Sequence, residues 1–168
     1  RRDEAAVGQL YDKHAVQLFT LLVRILHDHS TAEDVLQEVF LRVWNRAATY
    51  DQSLGSPIVW LTRIARNLAI DTLRSKLGQR RKLEDDVETH TELRADEATA
   101  DPSASATQSQ QHETLRSALA TLPEEQRILI EYAYYQGYTQ SELAKHFDIP
   151  LGTVKTRIRT GMMSLRRH

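Results

Sequence analysis

The thirty residues from 83 to 112, LEDDVETHTELRADEATADPSASATQSQQH, constrain most strongly what this chain can fold into. After Val87 and Leu93 they hold almost no large apolar side chain, and 8 acids stand against 1 base, a charge of −7. Such a stretch buries too little apolar surface to offset the entropy of ordering it, so it reads as a flexible acidic linker. The remainder is two short ends, each of which must close its own core. Residues 1–82 carry 13 Lys and Arg against 9 Asp and Glu, and residues 113–168 carry 8 against 6. The net charge of −1 therefore conceals two basic ends, +4 and +2, around an acidic middle.

Other features narrow the class. No apolar run approaches the ~18 residues of a membrane span, and the opening RRDEAAVGQL lacks the apolar core of a signal peptide. The chain has no cysteine, which excludes disulfides, zinc ribbons and thiol catalysis and agrees with a reducing compartment. A cytoplasmic protein is expected. There is no phosphate-cradling Gly-rich loop, no GxSxG and no HExxH. His27-Asp28-His29 is not joined by a second cluster at ligand spacing. The expectation is a protein that is not an enzyme and needs no metal or cofactor.

Both ends carry helical periodicity. Val7, Leu10, Tyr11, Leu18, Phe19, Leu22, Ile25 and Leu26 recur at three- and four-residue steps. The run STAE at 30–33 has the form of a capping box and predicts the start of a second helix. Its apolar face is Val35, Leu36, Val39, Phe40 and Val43, with Asp34, Gln37, Glu38 and Arg42 elsewhere around it. AATYDQSLGS then breaks the pattern, and Ser56-Pro57 predicts the start of a third helix running to about Arg80. Ile58, Leu61, Ile64, Ala65 and Leu68 face its core side, while Arg63, Arg66, Asn67 and Arg74 share another face.

In the C-terminal end, Leu122-Pro123-Glu124-Glu125 predicts a helix that stops at Gln136-Gly137, and Thr139-Gln140-Ser141-Glu142 is a second capping box. IPLG predicts a tight turn, after which TVKTRIRTGMMSLRRH forms the last helix. Two helices joined in this way make a helix-turn-helix, with the last as recognition helix. Val154, Ile158 and Leu165 can pack inward, leaving Lys155, Thr156, Arg157, Arg159 and Thr160 for a major groove. Arg166 and Arg167 suit the negative end of a helix, but Lys155, Arg157 and Arg159 lie in the first turns, where positive charge opposes the dipole. That placement favours DNA contact. For the Arg63–Arg74 face, and for Asp34, Gln37 and Glu38, spacing alone suits a solvated surface as well as an interface. Tyr50 and Trp60 can stack on unpaired bases or belong to the core.

Four blocks, AEDVLQEVFLRVW (32–44), WLTRIARNLAIDTLR (60–74), LPEEQRILI (122–130) and SELAKHFDIPLGTVKTRIR (141–159), together resemble bacterial sigma factors of the extracytoplasmic-function class. The resemblance covers nearly the whole chain. It implies an all-α fold of two small helical domains, a sigma region 2 bundle over 1–82 and a sigma region 4 helix-turn-helix over 113–168, joined by the flexible linker. It implies that Asp34, Gln37, Glu38 and Arg42 bind core RNA polymerase, through the beta-prime clamp helices, with the beta subunit as a further partner. It implies that Tyr50, Asp51, Arg63, Arg66, Asn67, Asp71 and Arg74 hold the melted minus-10 promoter strand. Region 4 would read the minus-35 duplex, with Lys155, Thr156 and Arg159 nearest the bases, Thr139, Gln140, Thr153 and Arg157 on phosphates, and Thr160 a further contact. After TRIR the chain has TGMM where many relatives carry a further Arg-rich turn, so contacts from Gly161, Met162 and Met163 are not expected.

The expected function is a dissociable initiation subunit that directs core polymerase to promoters and helps melt them. Regulation by an anti-sigma factor is expected, which can hold the protein at the membrane. The acidic linker is expected to occupy the RNA path of the polymerase. The alternatives are a stand-alone helix-turn-helix regulator and a sigma-like decoy that binds without initiating.

Overall fold

A computed structural model describes residues 3–83 and 117–167, with side chains described to residue 78 in the first segment. The acidic linker beyond Leu83 lies outside the described residues. No strand occurs among the described residues, and the chain divides into two compact units, Arg1–Ala100 and Asp101–His168.

The first unit is a three-helix bundle of α1 (Glu4–Leu26), α2 (His29–Arg46) and α3 (Pro57–Leu83). Asp3 caps α1 by accepting from the Ala5 amide at 3.0 Å. The core is the periodic set: Leu18, Leu22 and Ile25 of α1, Val35, Val39 and Val43 of α2, and Leu61 and Ala65 of α3 are all buried. Tyr11 is half-exposed yet packs its ring 4.8 Å from Phe40.

The corner between α1 and α2 corrects one expectation. The 30–33 run is not the cap: α2 begins at His29, and Asp28 is its N-cap, accepting from the Thr31 amide at 3.0 Å. His27 makes the earlier start possible. It adopts the left-handed conformation (φ 54°) and returns its amide to Val23 O at 2.8 Å, so the chain reverses within two residues. Lys76 of α3 then ties the corner to the bundle, donating to Thr31 Oγ1 at 2.5 Å and lying 3.7 Å from Asp28 Oδ2.

The second unit holds α4 (Glu124–Tyr135), α5 (Gln140–His146) and α6 (Leu151–Leu165) around buried Leu129, Leu143 and Val154. The predicted capping box at Thr139 is present in both directions: Thr139 Oγ1 accepts from the Glu142 amide at 3.2 Å and Glu142 Oε2 accepts from the Thr139 amide at 2.6 Å. At the other end of α5, Asp148 takes a left-handed conformation (φ 50°), and the Ile149 amide reaches back to Ala144 O at 3.0 Å. This is the six-to-one bond of a helix-terminating Schellman turn. The turn is shorter than expected: α6 already includes Leu151 and Gly152. Pro150 has no amide to satisfy, and its carbonyl accepts from Thr153 at 2.9 Å and Val154 at 3.1 Å, so it seeds the helix at the next residue.

Candidate polymerase and nucleic-acid interface

On α2, Asp34 and Gln37 are exposed, whereas Glu38 and Arg42 are half-buried and joined by a 2.8 Å ion pair. Their charges largely cancel, so the pair presents a shaped polar ridge rather than two free charges. Leu41 belongs to the same exposed strip, four residues from Gln37 and three from Glu38, and is 58% exposed. Sequence reasoning missed it. The available signal was a large apolar residue out of phase with the buried set.

Between α2 and α3 the chain makes two short 3-10 turns, Ala47–Thr49 and Gln52–Leu54. Tyr50, half-buried, and Asp51, exposed, both hydrogen-bond within the loop and shape it. The Tyr50 hydroxyl donates to Gly55 O at 3.1 Å, and its ring lies 5.5 Å from that of Trp60. Asp51 accepts from the Ser53 amide at 2.9 Å, and its hydrogen bonds to Ser53 hold its carboxyl below the usual range. The large apolar groups facing solvent here are Leu54 and Val59, which the sequence reading passed over. Gly55 (φ 138°) sits where an L side chain is strained. Behind the loop is an apolar cavity of about 140 Å³, whose lining includes Leu10, Trp44, Tyr50, Pro57 and Trp60.

Along α3, Arg63, Asn67, Asp71 and Arg74 are exposed and Arg66 is half-buried. Their three- and four-residue spacing puts them on one side of the helix, away from Leu61, Ala65 and Leu68. The bundle therefore presents a basic face that begins at the loop and runs along its longest helix.

In the second unit, Lys155, Thr156, Arg159 and Thr160 are exposed on α6, opposite buried Val154 and Gly161. Thr153 is half-buried and Gln140 exposed. Arg157 differs from the expectation of a side chain lying open for phosphate: it turns toward α4 and pairs with Glu125. The reason is rotational. Arg157 lies three residues after Val154 on the flank of the buried stripe, within reach of the first turn of α4. Thr156 and Thr160 donate their hydroxyl protons backward along the helix, to Gly152 O at 2.9 Å and to Thr156 O, respectively. They present methyl groups and oxygen lone pairs outward.

Gly161 was also missed as a determinant of the site. A Cβ there would lie 2.6 Å from Ile130 Cδ1 and 3.3 Å from Gln126 Cβ, so any larger residue makes Ile130 shift or α6 move away from α4. Among the described residues no group of three or more His, Cys, Asp or Glu could hold a metal ion, and no helix is long and apolar enough to cross a membrane.

Two helical units of this kind, one with a basic helix face and one with a helix-turn-helix, match known families in the same order. Sigma-70 region 2 matches residues 10–78 and Sigma-70 region 4 matches residues 118–167. An extracytoplasmic-function (ECF) RNA polymerase sigma factor, SigK of Mycolicibacterium vanbaalenii, is 31% identical over 171 residues, covering 99% of this chain and 83% of that protein. The chain belongs to the ECF sigma factors. Another ECF RNA polymerase sigma factor, RpoE of Cereibacter sphaeroides, is 36% identical over 167 residues, covering 99% of this chain and 88% of that one. Among solved structures, Rhodobacter sphaeroides SigE in complex with the anti-sigma ChrR is similar at 34% identity and a TM-score of 0.46, covering 100% of this chain and 91% of that chain. In this sigma factor the region 2 match spans the loop and the basic face of α3, and the region 4 match spans all of α4 to α6.

Proposed function

We propose that this ECF sigma factor brings core RNA polymerase to promoters by reading a minus-35 duplex with α6 and holding the melted minus-10 strand on the first unit. The observation that carries this is α6 itself: one side is locked to α4 and α5, and the other exposes Lys155, Thr156, Arg159 and Thr160. Lys155 and Arg159 can neutralise phosphates or reach guanine edges. Thr156 and Thr160, whose protons are committed to the helix, suit thymine methyls and base amino donors. Thr139 behaves oppositely: its oxygen accepts from Glu142, leaving its proton for a phosphate, and Gln140 and Thr153 are further phosphate contacts. Arg157 contacts phosphate only with the guanidinium edge left over from Glu125.

On the first unit, Arg63, Arg66, Asn67 and Arg74 follow the phosphates of an unpaired strand, with Asn67 also placed for a base edge. Tyr50 and Asp51 act by shaping the loop, and Asp71 orients neighbouring bases. Holding DNA open requires contacts that offset unstacking, which cationic tracks and aromatic platforms provide. Asp34, Gln37, Glu38 and Arg42 dock on the beta-prime clamp helices of core, and the beta subunit is the further contact. Regulation is by an anti-sigma factor that covers these same surfaces, a reading supported by the anti-sigma complex of the SigE relative.

Run-off transcription with purified core polymerase and promoter fragments selected from a random library tests the reading. Promoter-specific RNA that needs both proteins supports it. Core binding without opened template points to a decoy, and tight DNA binding without core points to a stand-alone regulator.

A further inference from the structure

The chain holds only two sulfur atoms, those of Met162 and Met163, and both side chains lie on α6, 52% and 48% exposed. Their outward position is enforced by the helix crossing. Gly161 faces Ile130 and Gln126, with room there for no side chain larger than its own unless they shift, so the buried side of α6 is the one that carries Gly161 and not the methionines. A helix advances about 100° per residue, so with Gly161 inward Met163 projects from nearly the opposite side and Met162 from the flank. Both are neighbours of Arg159, at three and four residues' spacing.

We propose that Met162 and Met163 are a reversible oxidation site that sets how well α6 engages duplex DNA; this rests on the reading of α6 as the minus-35 helix. The oxidant is a peroxide. A thioether lone pair attacks one oxygen of hydrogen peroxide, the O–O bond breaks as the S–O bond forms, and the proton of the transferred oxygen leaves with the displaced hydroxide as water. Sulfur is oxidised by two electrons and the peroxide is reduced. No cysteine in this chain competes for the oxidant. The product exchanges an apolar, flexible group for a polar one, and methionine sulfoxide reductases reverse it. Arg159 has five donors and no acceptor, so a sulfoxide oxygen one turn away draws its guanidinium from the groove. The exposed methionines thereby act on the same helix face as the DNA-reading residues.

The full chain is treated with hydrogen peroxide, cleared with catalase and combined with untreated core polymerase. Mass spectrometry counts one added oxygen per sulfur. Promoter complexes formed at a minus-35-dependent template should fall about tenfold, and preference at the minus-35 position that Arg159 reads should relax. Association with core should not change, and sulfoxide reductase should restore promoter binding. A Met162→Leu, Met163→Leu double variant, compared with itself before and after peroxide, should show a ratio near one. Undiminished promoter binding by protein oxidised at both sulfurs overturns the switch, as does an equal loss in the double variant. Sulfurs that stay unoxidised under peroxide that oxidises a peptide of the same residues also overturn it. Failure of untreated protein to engage the promoter overturns the function reading, and the switch with it.

Discussion

Arg157 and Arg159 are two residues apart, yet their surroundings give them different work. Arg157 is held by Glu125, while Arg159 stands on the exposed side of α6. Arg159→Ala should cost about 1–3 kcal/mol of promoter binding and relax preference at one minus-35 position, read by competition among promoter variants. Arg157→Ala should leave that preference intact. It should lower the stability of the fold by no more than about 1 kcal/mol, because the ion pair is partly exposed, with side chains 33% and 60% accessible. Asp28 supplies a prediction in pH. Its carboxylate accepts from the Thr31 hydroxyl and amide and lies near Lys76, which together hold its carboxyl below the usual value. A depressed folded value stabilises the fold above the unfolded carboxylate range, and the contribution disappears as pH falls through the folded value. Asp28→Ala should therefore lower the melting temperature at neutral pH and make the acid limb of the stability profile shallower. A profile parallel to the parent's would contradict this.

Helix ends and crossings decide how the elements display these residues. The box at Thr139 acts as expected, and Thr139→Ala should cost about 1 kcal/mol of stability by denaturant unfolding. STAE has the same form but does not cap α2, because Asp28 can act only where His27 has already turned the chain. That turn depends on α1 stopping at Leu26. The Gly161 crossing is a matter of packing, legible only once α4 is known to pass over it. Gly161→Leu should destabilise the protein by about 1–3 kcal/mol through overpacking. Gly161→Ala should do less harm, because the gain in helix propensity, about 1 kcal/mol, offsets part of the clash with the mobile end of Ile130. The Leu variant should also lose minus-35 binding, since relieving the clash must rotate or lift α6.

At the scale of the whole molecule, charge is distributed by segment, with a −7 stretch between basic ends. Replacing the acids between residues 84 and 101 by Ser or Gln should alter the ratio of abortive to full-length RNA if this stretch lies along the RNA path; an unchanged ratio would exclude that role. Segment charge, periodicity and motif order are one-dimensional properties. They sufficed to read the helices, the helix-turn-helix and the two sigma regions, because an amphipathic stripe must be buried wherever its partner comes from. Three-dimensional neighbours decided the rest. Leu41 and the methionines are exposed and Arg157 is withdrawn toward Glu125 because the rotation of each helix is set by what packs on its other side. Residues far apart in the chain determine that packing, as Gly161 and Ile130 do across the junction of α6 with α4.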